Sequence, residues 1–156
     1  MQNKYKKLVA FILMVLWMGV IFYFSAQVAS DSSAQSGGVV EIIKGFLEKI
    51  SPSAKEFDIA FWDAFETLLR KIAHGFIYFI LGILCSNFII KCNIKRKITI
   101  SLAICFLYAV SDEIHQIFVA GRSGQIGDVI IDSFGSIVGI VVFFVVSKWF
   151  FSRRKA

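Results

Sequence analysis

The chain has 156 residues, 57% of them hydrophobic, with 17 Phe, a single Pro and a formal net charge of +6. That composition excludes intrinsic disorder, which needs few apolar residues. It also excludes a soluble enzyme around one buried core, because so short a chain has too much surface to hide that many apolar side chains. The length suits one domain.

The first apolar run, residues 8–24, is uncharged and follows Lys4, Lys6 and Lys7. It exceeds the ~7–15 residues of a signal-peptide core, and no small-x-small cleavage site follows, so an uncleaved spanning helix is expected. Residues 34–38 are the one flexible-looking stretch. Val39, Ile42, Ile43, Phe46, Leu47 and Ile50 then recur at helical spacing and predict an amphipathic helix. Ser51-Pro52 breaks it, and Ser53 with Glu56 has the pattern of a capping box. Phe57, Phe61, Phe65 and Leu68 form a second stripe that leads into the next apolar run. This helical segment reads equally as a collar on the bilayer or as packing over helix ends.

The second run, residues 72–90, is interrupted only by His74 and Asn87. The third is apolar or small from 98 to 110, then continues through Ser111, Asp112, Glu113, Ile114, His115 and Gln116 to Phe118. The fourth, residues 129–150, is broken by Asp132 and, near its end, Lys148. Runs of about 20 apolar residues span a bilayer as helices, and none of these alternates as a barrel strand would. The expected architecture is all-α: one polytopic membrane domain over residues 1–156, with four transmembrane helices at about 8–26, 72–90, 98–118 and 129–150. An extracytoplasmic amphipathic helical segment lies between the first and second. Cys85, Cys92 and Cys105 give no disulfide framework.

Lys and Arg in short loops set orientation. The amino end, the loop at 91–97 and the carboxyl end hold 11 basic residues and no acidic ones; the rest holds 6 basic and 11 acidic. Both termini and the 91–97 loop are therefore expected in the cytoplasm. The +6 is a topology signal and gives no case for nucleic acid as a partner.

The uncharged part of the third span is 13 residues, roughly 20 Å of helix in a hydrocarbon core of about 30 Å. Asp112, Glu113, His115 and Gln116 should begin inside the outer leaflet. Tyr108, Asp112, His115 and Gln116 share a face by spacing, with Glu113 at its edge. Lys71 and His74 open the second span, with Gly75, Tyr78 and Gly82 continuing that face. Asp128 and Asp132 open the fourth, and Gly135 and Gly139 continue as a small-xxx-small surface. Ser25 and Gln27 close the first span, and Arg122 sits in the short loop among Gly121, Gly124 and Gly127. Ionisable groups at this depth must face protein or a watery cavity, and are functional candidates.

The run Lys71-Ile72-Ala73-His74, then Tyr108 through Gln116, then Gly121-Arg122 and Asp128, resembles the VanZ-like family. Phe24-Ser25-Ala26-Gln27 is similar to that family's motif after the first helix, and the match runs from about Trp17 to Gly139. The resemblance implies a small membrane domain of about four spans over 1–156 and a link to teicoplanin resistance. Gly121 stands before Arg122 where the family often has a Pro in this loop.

On this reading Lys71 and Arg122 orient an anion, since Arg offers a bidentate fork and Lys a mobile charge. Gln116, Asp132, Ser25 and Gln27 complete its binding site. His74 or His115 moves a proton, poised by Asp112 or Glu113, and Asp128 and Asp132 orient the histidines or a metal. The expected partner besides the lipid bilayer is an anionic lipid or lipid-linked cell-wall precursor. Cofactors stay unknown: a divalent metal fits the donor types, but no spaced signature such as HExxH occurs. Pairing of the carboxylates with Lys71 and Arg122 ranks ahead of it. Whether the chain is an enzyme stays open, as does a homo-oligomer through the glycine face. The main alternative is a non-enzymatic scaffold or shielding protein whose polar cluster is structural. A proton-coupled transporter ranks below both, since four spans show no inverted repeat.

Overall fold

A computed structural model describes residues 2–51 and 56–153. It contains five helices: α1 (Gln2–Ser25), α2 (Ala29–Ile50), α3 (Ile59–Lys91), α4 (Lys97–Gln116) and α5 (Ile126–Arg153). No strand occurs among the described residues. Four helices, α1, α3, α4 and α5, are long and apolar enough to cross a membrane. Their outward faces carry exposed Leu16, Phe106, Phe134 and Val145. Water would penalise such a belt and lipid would not.

Contacts between the helices fix their directions. Phe11 meets Phe88, and the Trp17 indole donates to the Ile77 carbonyl at 2.8 Å, so α1 and α3 run antiparallel. The Tyr108 hydroxyl donates to the Met18 carbonyl at 2.6 Å, and His115 meets Phe22, so α4 runs with α1. The α3–α5 seam is parallel and the closest in the bundle. A Cβ on Gly135 would stand 2.1 Å from the Gly75 carbonyl oxygen, and one on Gly139 2.0 Å from that of Phe79. Gly82 meets Ser136 in the same way at 2.4 Å. Only glycine permits this backbone approach, as in small-xxx-small contacts generally. The glycine face expected from sequence is thus used inside the chain, and a dimer through it would have to break this seam.

The core beside the seam is dry. Ile21, Tyr78, Leu81, Cys85, Cys105, Ala109 and Ile140 are buried there. One hydroxyl there turns back onto helix backbone: Ser136 donates to the Tyr78 carbonyl at 3.3 Å.

Two readings are refined. The helix that carries the second apolar run begins well before residue 72: α3 is one helix of 33 residues, about 50 Å long and longer than a hydrocarbon core of about 30 Å, so the Phe61, Phe65 and Leu68 stripe is its first part. The Asp58 carboxylate caps it, accepting from the Phe61 N–H at 2.8 Å; the capping box placed at Ser53 lies outside the described residues. The stretch 34–38, read as flexible, is helical within α2. The Ser36 hydroxyl donates to the Glu66 carboxylate at 2.6 Å, which ties that turn to α3 despite its two glycines. The helices that carry the third and fourth runs are α4, which stops at Gln116, and α5, which starts at Ile126.

Only one edge of α2 is held. Val40 is buried, and the Lys44 ammonium lies 5.5 Å from the Trp62 ring centroid. Most of its apolar stripe points away from the bundle: Ile42 is 74% exposed and Phe46 63%.

Candidate functional site

The polar site forms where α1 and α4 end and α5 begins, beside the middle of α3. Its shape follows from the seam. Because Gly75 lies against Gly135, the turn before each glycine faces the other helix. That places Lys71 and His74 of α3 opposite Asp128 and Asp132 of α5. Lys71 Nζ reaches the Asp128 carboxylate at 3.9 Å, a long and half-exposed pair of little energetic weight.

α4 contributes its last turns. Its buried residues are Ser101, Cys105, Ala109, Asp112, Glu113 and Gln116, an i, i+4 stripe that ends in polar groups. Asp112 is 3% exposed, Glu113 5% and Asp132 0%. One oxygen of Asp112 accepts from the Gln116 amide at 3.5 Å, and one oxygen of Glu113 accepts from the Gln125 N–H at 2.8 Å. Ser25, Tyr78 and His74 are the other neighbours of Asp112.

The loop between α4 and α5 closes over these residues. Gly121 has a φ of 75°, a left-handed conformation that favours glycine. Gly124 sits so close that a Cβ would come within 2.9 Å of the Glu113 carbonyl oxygen. The turn delivers Arg122, whose guanidinium donates to the Phe24 carbonyl at 3.4 Å and so bridges the loop to α1. Burial, and after it the like charge of Arg70, pull the Arg122 guanidinium below its ordinary pKa, while Asp112, Glu113 and Asp128 pull the other way. Arg122 stays charged at any physiological pH.

Two cavities meet here. A cleft of about 230 Å³ is lined by charged groups: Arg70, Lys71, His74, Arg122, Asp128 and Asp132, with Gln116 and Ser123. A neighbouring groove of about 370 Å³ between α1, α2 and α3 is mainly apolar, walled by Phe24, Val39, Leu69, Ala73 and Ile77. Arg70, His74 and Arg122 line both.

The expected site residues therefore divide. Lys71, His74, Gln116, Arg122, Asp128 and Asp132 line the cleft. Asp112 and Glu113 are buried behind it, next to Asp132. Ser25 is fully buried beside Asp112, and Gln27 lines the apolar groove instead. His115 lies toward α1, as Tyr108 does: it stacks on Phe22, with ring centroids 4.5 Å apart, and it does not line the cleft. Glu113, placed at the edge, is buried.

Sequence reasoning missed Arg70. It precedes the apolar run, but α3 is already helical there, and Arg70 and His74 stand four residues apart on one face. Thr67, one turn earlier, also lines the cleft.

A family model described as VanZ/LLP1 matches residues 10–147. No curated protein and no solved structure matches the chain.

Proposed function

The chain belongs to the VanZ/LLP1 family, a multi-pass membrane protein on four apolar helices, and from that premise we propose that it binds an anionic amphiphile at the outer face of a bacterial cytoplasmic membrane. The observation that carries the reading is the wall shared by a charged cleft and an apolar groove. An amphiphile needs both environments side by side. Its anionic head fits among Arg70, Lys71 and Arg122, and its hydrocarbon lies along Leu69, Ala73 and Ile77.

Electrostatics favours an anion in that cleft. Arg70 and Arg122 repel one another across it, and an anion between them relieves the repulsion. A phosphate oxygen accepts charge-assisted hydrogen bonds from a guanidinium, shorter and stronger than neutral ones. Basic residues at the two chain ends and in the 91–97 loop support a cytoplasmic position for the opposite end of the bundle. The cleft then opens at the outer headgroup level, and the exposed Ile42 and Phe46 of α2 lie in the same interface as a collar. A lipid-linked envelope precursor has this chemistry and would account for a link to glycopeptide resistance. His74 lies in the field of Asp112, Asp128 and both arginines and is the group placed to exchange a proton with the bound head.

A purely structural cluster would pair its buried oxygens. Here Asp112, Glu113 and Asp132 each keep an oxygen without a hydrogen bond, which supports a ligand over a scaffold. The test uses a host that the wild-type chain protects from teicoplanin. Arg122→Ala, at matched membrane level, is expected to abolish protection. Undiminished protection by both Arg122→Ala and Arg70→Ala contradicts the proposal.

A further inference from the structure

We propose that Asp112, Glu113 and Asp132 form a binding site for one hard divalent cation, of the Mg²⁺, Mn²⁺ or Ca²⁺ class. The three residues come from two helices, and one oxygen of each lies within 4.8 Å of the others. Calcium–oxygen bonds of about 2.3–2.6 Å put oxygens on opposite sides of the ion roughly 4.6–5.2 Å apart, and magnesium draws them to about 4.2 Å. Oxygens held within that limit can converge on an ion of this class. All three donors are carboxylates, which hard cations prefer, and no thiolate is among them.

The carboxylates are held as ligands are held. Gln116 fixes one oxygen of Asp112 and leaves Oδ1 without a partner; the Gln125 N–H fixes one oxygen of Glu113 and leaves Oε1. Both oxygens of Asp132 are unpartnered. Hydrogen bonds of this kind orient metal-ligating carboxylates.

Two side chains outside the trio point to the same centre. Tyr78 faces Asp112 and Asp132, and Ser25 faces Asp112. Both are fully buried; their hydroxyls interact with the Asp112 carboxylate, yet neither meets it in ordinary hydrogen-bond geometry. A hydroxyl oxygen is a further donor to a hard cation.

Charge balance agrees. Lys71 is engaged with Asp128. Arg122 lies in the field of Asp112 and Glu113, and a divalent ion would offset the charge that the trio carries when it ligates. Asp132 and Gln116 line the cleft, which gives the ion a route from solvent. The site adjoins the cleft, but its argument rests on the buried carboxylates and does not depend on the amphiphile reading.

The full chain, purified in neutral detergent and stripped with EDTA, is titrated with Mn²⁺ alone and followed by electron paramagnetic resonance. One Mn²⁺ per chain is expected, with a dissociation constant at or below about 1 mM. Ca²⁺ should compete for it. Asp132→Asn and Glu113→Gln should each weaken binding about tenfold or more, and Glu66→Gln, a carboxylate on α3 outside the trio, should leave it unchanged. Failure of wild type to bind Mn²⁺ at about 1 mM overturns the proposal, as does equal binding by a folded Asp132→Asn. If neither variant folds, the wild-type melting temperature decides. A rise with Mn²⁺ or Ca²⁺ that EDTA reverses supports the site, and indifference to both ions overturns it.

Discussion

The α3–α5 seam and the polar end of the bundle use neighbouring turns of the same helices under opposite rules. At the seam backbone meets backbone: Gly135 and Gly139 press on the backbone of α3, and Ser136 bonds back to it. One turn away Asp132 is as deeply buried as Ser136, yet neither of its oxygens has a hydrogen-bond partner. A region optimised for packing stands beside one that sacrifices packing energy. The contrast separates scaffold from site, since departures from local consistency concentrate where a protein functions. The seam also explains the site's precision, because it sets Lys71 and His74 against Asp128 and Asp132 without a mobile side chain in between.

The comparison breaks most severely at the seam itself. Gly139→Leu drives side-chain atoms into the Phe79 backbone and should cost about 3 kcal/mol or more, read as lost membrane accumulation or a collapsed melting temperature in detergent. Gly127→Ala, at a glycine with nothing nearby, should leave both unchanged or slightly raised; equal damage at the two positions would remove the seam's special status.

A substitution at the polar end should act in the opposite sense. Asp132→Asn removes one of three converging buried carboxylates and should stabilise the metal-free protein by about 1–2 kcal/mol while impairing function. A loss of stability there would make the cluster structural.

Smaller effects belong to the ties between helices. Trp17→Phe deletes the bond to the Ile77 carbonyl and should cost about 1 kcal/mol in thermal melts, with resistance intact. Ser36→Ala removes a bond from α2 to Glu66. It should barely move the melting temperature but raise hydrogen exchange in α2 alone, as expected of a weakly held unit.

The four spans were legible because each is a continuous apolar run, and alternating direction brings their polar ends together. The glycine stripes at Gly75, Gly82, Gly135 and Gly139 were legible for the same reason. The rotation of α4 was not. Successive residues turn by about 100°, so Asp112, Glu113, His115 and Gln116 spread over an arc of roughly 160° with Glu113 and His115 at its two edges. A modest rotation therefore changes which edge faces the cleft, and the partner that meets it, such as Phe22 against His115, lies on another helix. Arg70 was hidden by composition: the apolar run begins two residues later, whereas the helix begins at Ile59. The turn at 34–38 was read from its glycines alone, and the Ser36–Glu66 bond that orders it is tertiary.

The most direct test of the account is native mass spectrometry of the chain released from nanodiscs containing equal anionic and zwitterionic lipid. Wild type should retain one anionic lipid in clear preference. An Arg70→Ala, Arg122→Ala double variant with an unchanged melting temperature should lose that preference by about tenfold, near 1.4 kcal/mol. Equal retention of both lipids by wild type, or the same preference in the double variant, would contradict the assignment of this cleft as an anionic amphiphile site.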